Sequence, residues 1–207
     1  MRNSGLDTSE CVIAPAASNP GHPNGRHEPA EHVLFPLDEF YLAAGRVIPE
    51  AEVISGEAVP EPYRTLLVHI RDMTPTLEAF HGEQIHLRVL ERRVEGDRMM
   101  RCVALTTDET ERPVEFGAIV IHCAEFPPDA QAVVMECRTP LGTILRDFRI
   151  EHTSRPEAFL RVASDGLIGE ALGLAQPQEL YGRRNVLWSN DGKVLAEVLE
   201  ILPPAGK

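Results

Sequence analysis

Apolar positions along this chain recur with two periods, and the switches between them mark the elements. In 84–94, Ile85, Leu87 and Val89 alternate with other residues, which predicts a strand with one buried face. Strands are predicted likewise over 98–107 and 113–123. Helical spacing governs other stretches. Residues 36–44 predict a short helix stopped at Gly45, and Tyr63, Leu66, Leu67 and Ile70 place another in 61–69. Thr74-Pro75 reads as an N-cap followed by the first helical position, opening a helix with Leu77, Ala79 and Phe80 that ends at His81-Gly82. A short helix over 129–136 follows Pro127-Pro128. Thr139-Pro140 repeats the start signal before the stripe Leu141, Ile144, Leu145 and Phe148.

The rest is less regular until the end. Residues 46–60 read as a loop with one extended piece, and 150–153 as extended. Residues 157–163 fit helix or strand, and 165–172 a helix ending at Gly173. The closing stretch is a hairpin, 181–189 and 193–202, around Asn190-Asp191-Gly192, because glycine accepts the positive φ of a tight turn. Strands come in runs with helices between them, so the expected class is α+β with a mainly antiparallel sheet. Residues 1–32 are too poor in apolar side chains to offset their ordering entropy and are expected to be a disordered tail. One domain is expected over 33–207.

Composition narrows the function. Hydrophobic residues make up 43% of the 207, enough for a real core. The net charge of −12 argues against nucleic acid and anionic membrane surfaces as partners. No apolar run reaches the roughly 18 residues of a membrane span, and the N-terminus does not read as a signal peptide. Cys11, Cys102, Cys123 and Cys137 have no CxxC spacing and read as reduced thiols, which places the chain in the cytoplasm. His22, His27 and His32 in the tail are too irregularly spaced for a metal site.

Nucleophile, metal and phosphate-loop motifs are missing: no G-x-S-x-G, H-E-x-x-H, G-x-x-x-x-G-K-S/T or G-x-G-x-x-G occurs. What remains is a set of charges in apolar strands. Arg101 shares a face with Val103 and Leu105, where it either snorkels at a strand end or serves a ligand. Arg183 and Arg184 lie early in the first hairpin strand, and Glu197 and Glu200 sit among Val194, Leu195, Val198, Leu199, Ile201 and Leu202 in the second. A carboxylate so placed is costly unless paired or used. Glu115, between Val114 and Phe116, pairs with an arginine or lines the site. The set suits an anionic organic ligand and acid–base chemistry.

From 66 to 203 the chain resembles the chorismate lyase (chorismate–pyruvate lyase) family of the chorismate lyase/UTRA-like fold. The pieces are Asp72-Met73-Thr74 before a short helix, Arg101-Cys102-Val103-Ala104-Leu105, and Pro113-Val114 with Gly117. Then come Pro140-Leu141-Gly142, Tyr181-Gly182-Arg183-Arg184, and a final strand with Glu before Leu202-Pro203. The resemblance implies elimination of pyruvate from chorismate to give 4-hydroxybenzoate, with no metal or organic cofactor. It implies that Arg101 binds the ring carboxylate as part of the catalytic set, and that Met73 and Leu141 contact substrate through their backbone. Ala118 stands where some members carry an arginine, so the added positive charge would come instead from Arg183, Arg184 or His69. The acid–base group would be a final-strand glutamate. Read without a gap, the family's position falls on Leu199; Glu197 shares that face and Glu200 lies on the other, so both are candidates, Glu197 first. A monomer is favoured. Two alternatives stay open: a non-catalytic small-molecule binding domain, the role this fold plays in transcription regulators, and a lyase acting on a related enolpyruvyl substrate. The 32 tail residues are too few and too polar for the regulators' DNA-binding domain.

Overall fold

The alternating segments pair into one sheet. The computed structural model describes residues 33–205; the predicted tail, with Cys11, His22, His27 and His32, lies outside them. The strands are β1 (Ala51–Ile54), β2 (Ile85–Glu95), β3 (Arg98–Thr107), β4 (Pro113–His122), β5 (His152–Ala163), β6 (Glu179–Ser189) and β7 (Val194–Leu202). The helices are α1 (Leu37–Ala43), α2 (Tyr63–Leu67), α3 (Met73–His81), α4 (Pro128–Glu136), α5 (Leu141–Asp147) and α6 (Gly166–Leu172). The seven strands run in the order β1-β5-β6-β7-β4-β3-β2, and every neighbouring pair is antiparallel. The class is α+β.

Local chemistry accounts for the turns. Gly96, between β2 and β3, has φ +64°, and Gly192, between β6 and β7, has φ +81°, both in the left-handed region glycine enters without strain. The Asp165 side chain accepts from the Ile168 amide and caps α6. The two Thr-Pro signals are displaced. Asp72 and Pro140, not Thr74 and Thr139, occupy the N-cap positions of α3 and α5. Pro75 is tolerated in the first turn of α3 because an amide there has no intrahelical acceptor to lose. Segment 157–163, whose sequence fits helix or strand, is strand: it belongs to β5, whose pairing with β6 shifts between Pro156 and Ala158. A proline at a bulge is how a strand accommodates a missing N–H.

Both sheet faces are covered. On one, α1 and α6 pack with Met100, Cys102, Phe116, Leu160 and Leu199. On the other, two separate apolar clusters form. One joins α4 and α5 to Met99, Ile119, Ile121 and Leu187; the second joins α2 and α3 to Leu105, Ile85 and Leu202. No helix among the described residues is long and apolar enough to cross a membrane.

Candidate functional site

Between those two clusters the sheet face turns polar. Arg101, Glu115, Arg183, Asn185 and Glu200 meet there, none more than 5% exposed. Strand pairing puts them together. Arg101 stands opposite Ile119, Val103 opposite Gly117, and Leu105 opposite Glu115. Gly117 also faces Glu200, and Glu200 faces Arg183. Residues paired across a sheet share a face, as do residues two apart on a strand. The polar groups therefore fall in line along β4: Arg101 beside Ile119, Glu200 beside Gly117, then Glu115. At a rise of about 3.4 Å per residue, the line is about 14 Å long between backbone positions.

The seam floors a pocket roofed by the starts of α3 and α5. Its lining includes Met73, Thr74, Leu141, Arg101, Glu115 and Glu200. The atom-free space, mouth and adjoining solvent included, is ≈ 590 Å³. The two helix starts converge because Gly142 carries no side chain: a Cβ there would sit 3.0 Å from Thr74 Oγ1. Asp72, also on the lining, receives His152 Nε2 at 2.9 Å, which ties the start of α3 to β5. That bond raises the His152 pKa.

Arg101 is 1% exposed, and its Nε and Nη1 have no hydrogen-bond partner among the described residues. Burial pushes its pKa down, with the Cys137 thiol its nearest countervailing neighbour. This is not a snorkelling side chain. It is a buried cation with two unpartnered donors, each of which can donate to a ligand oxygen.

Arg183 is different. Its Nε donates to Glu200 Oε2, Nη1 to the carbonyls of Leu67 (3.3 Å) and His69 (3.0 Å), and Nη2 to the carbonyl of Arg71 (3.2 Å). It is fully buried and committed to protein partners, so it fixes Glu200 and the 67–71 segment rather than reaching a ligand. Arg184 points to the opposite face and pairs with Glu157 at 2.9 Å. His69 touches Arg183 through Nδ1 at 3.3 Å; burial and that guanidinium lower its pKa to about 4, leaving it neutral.

The two glutamates of β7 separate cleanly. Glu200 lies in the pocket. Glu197, the first choice from sequence, pairs with Val120 and Val186 on the other face, its Oε1 3.7 Å from His122 Nε2. The structure brings Arg101, Met73, Leu141 and Glu200 together, keeps Arg183 behind Glu200, and leaves Glu197 outside. Sequence reasoning undervalued Glu115. Its signal was the one used for β7: a carboxylate inside an apolar strand, two residues from a glycine on the same face. Its Oε2 is buried without a partner. Burial first, then the Glu200 carboxylate, raise its pKa well above 4.5, while Arg183 opposes them.

Among the described residues no cluster of His, Cys, Asp or Glu is arranged to hold a metal ion. No protein-family profile matches the chain, and no curated protein does either. Several solved structures are similar in part. The effector domain of PhnF from Mycobacterium smegmatis is 11% identical, with a TM-score of 0.48 over 64% of this chain and 88% of that one. Whole PhnF gives 10%, 0.48, 66% and 65% in the same order. The C-terminal domain of the histidine utilization repressor from Pseudomonas syringae gives 13%, 0.39, 60% and 98%. At such identities and scores these likenesses carry no function over to this chain.

Proposed function

We propose that the pocket takes a compact organic carboxylate and that the chain is a chorismate pyruvate-lyase. The observation that carries the reading is Arg101, whose unpartnered donors are buried in the pocket wall. A ligand carboxylate accepting from those donors would offset the desolvation of the guanidinium, and dry surroundings strengthen the contact. The ring then extends along β4 toward Glu200.

In this reading Glu200 is the base. It takes the proton from C4 of the ring, and the C–H electron pair completes the aromatic system as the C3–O bond breaks. The ether oxygen leaves with its electrons as enolpyruvate, which gains a proton on its methylene carbon and becomes pyruvate. The products are 4-hydroxybenzoate and pyruvate, with no net electron transfer. Arg183 keeps Glu200 aimed.

One feature favours a second reading, a binding domain without catalysis. Glu200 is already engaged by Arg183, as a purely structural carboxylate would be. Incubation of the purified protein with chorismate distinguishes the two. The lyase reading expects 4-hydroxybenzoate and pyruvate in equal amounts, lost in Arg101→Ala. Binding through Arg101 without turnover supports the second reading. Neither binding nor turnover overturns both.

A further inference from the structure

The seam holds two carboxyl groups and, at that end, one guanidinium. Arg183 donates to Glu200. Glu115 has no such partner: its Oε2 is buried and unpaired, and Oε1 lies 3.4 Å from where a Cβ on Gly117 would be. One positive charge for two buried carboxyls leaves one of them protonated, and the one without a cation keeps the proton. Arg101, the other buried cation of the seam, has its backbone at the far end of the line, about 14 Å along the sheet. Resting on the pocket reading above, we infer that Glu115 is a neutral carboxylic acid that donates a hydrogen bond to a ligand oxygen at the end opposite Arg101, so that the pocket selects acids bearing a distal hydroxyl.

The chemistry of the pair fits a hydroxyl better than any other small group. A hydroxyl both accepts and donates. Glu115 supplies the donor and the Glu200 carboxylate the acceptor, so both carboxyls are satisfied by one oxygen. A ligand without that oxygen leaves the Glu115 donor buried and unpaired, which is where polar sites discriminate most sharply. A hydroxyl para to a ring carboxylate points away from that carboxylate, as Glu200 and Glu115 lie away from Arg101 along β4.

Calorimetric binding of 4-hydroxybenzoate and of benzoate tests this on wild type, Glu115→Gln, Glu115→Leu and Arg101→Ala. Wild type should prefer 4-hydroxybenzoate by about tenfold, the worth of one buried hydrogen bond. Glu115→Leu should lose that preference by binding benzoate more tightly, since it leaves no buried donor unpaired, and that binding shows that the pocket is intact. Glu115→Gln, which keeps a neutral N–H donor, should retain most of it. A Leu variant that still prefers 4-hydroxybenzoate tenfold overturns the inference and leaves the pocket reading standing. Benzoate binding that is absent, or unchanged in Arg101→Ala, overturns the pocket reading and this inference with it.

Discussion

Glu197 and Glu200 are three residues apart on one strand and have opposite fates. Glu200 is bonded to a fully buried arginine. Removing its charge leaves Arg183 buried without a counter-ion, so Glu200→Gln should cost about 3–5 kcal/mol in denaturant unfolding. Glu197→Gln breaks only a long contact to a partly exposed histidine and should cost under about 1 kcal/mol. A second residue-scale prediction concerns pH. The Glu115 pKa is raised in the folded chain, by burial and by Glu200, against Arg183. Its stabilising effect is complete below the unfolded value near 4.5 and is lost as pH climbs toward the folded value. Wild type should therefore lose stability relative to Glu115→Gln as pH rises above 4.5. Parallel slopes for the two proteins would show that Glu115 titrates in the fold as it does in water.

At the scale of elements, two glycines let the central strands approach. A Cβ on Gly117 would lie 2.4 Å from the Leu199 carbonyl, and one on Gly182 would lie 2.4 Å from the Glu200 carbonyl. Both obstacles are backbone, so neither can swing aside. Gly117→Ala and Gly182→Ala should each destabilise by roughly 2 kcal/mol or more, and Gly117→Ala should also weaken ligand binding, because it shifts β4 against β7 beneath the pocket. Thermal unfolding and a binding isotherm on each variant check both effects.

These elements also show what sequence could reveal. The closing hairpin was legible because Asp191-Gly192 dictates its turn locally, and the face of Arg101 because period two needs no tertiary information. The orientation of β7 was not. Leu199, Glu200, Ile201 and Leu202 are all buried, since a central strand covered on both sides loses the alternation that names its inner face. The choice between Glu197 and Glu200 depends on which neighbours the strand acquires, and β4 lies more than 70 residues earlier in the chain. The helix starts slipped for a smaller reason: a proline is acceptable at several first-turn positions, so it marks a helix beginning only loosely. Arg183 was read as a ligand contact because nothing in sequence shows that the carbonyls of 67–71 will close over it.

Across the whole molecule, charge opposes the proposed ligand. The chain carries −12, while its site must admit an anion. Salt screens the long-range repulsion and leaves a contact to the buried Arg101 donors almost untouched. Association of 4-hydroxybenzoate should therefore quicken as ionic strength rises, by about twofold over a range that shortens the screening length from roughly 30 to 8 Å. Stopped-flow association at several salt concentrations would read it, and a slowing would mean that local positive potential outweighs the net charge.

The polar seam divides the apolar interior on one sheet face into two blocks. A molecule seated there would bridge them, neutralise Arg101 and fill the space between, becoming in effect the last residue of the core. Saturation to a hundredfold over its dissociation constant would then add about 2.7 kcal/mol to the folded state. Inside a cell, where unfolded chains are the ones degraded, that increment lengthens a protein's life. If the proposed ligand is the one bound, the amount of this protein present would rise and fall with the supply of that small acid.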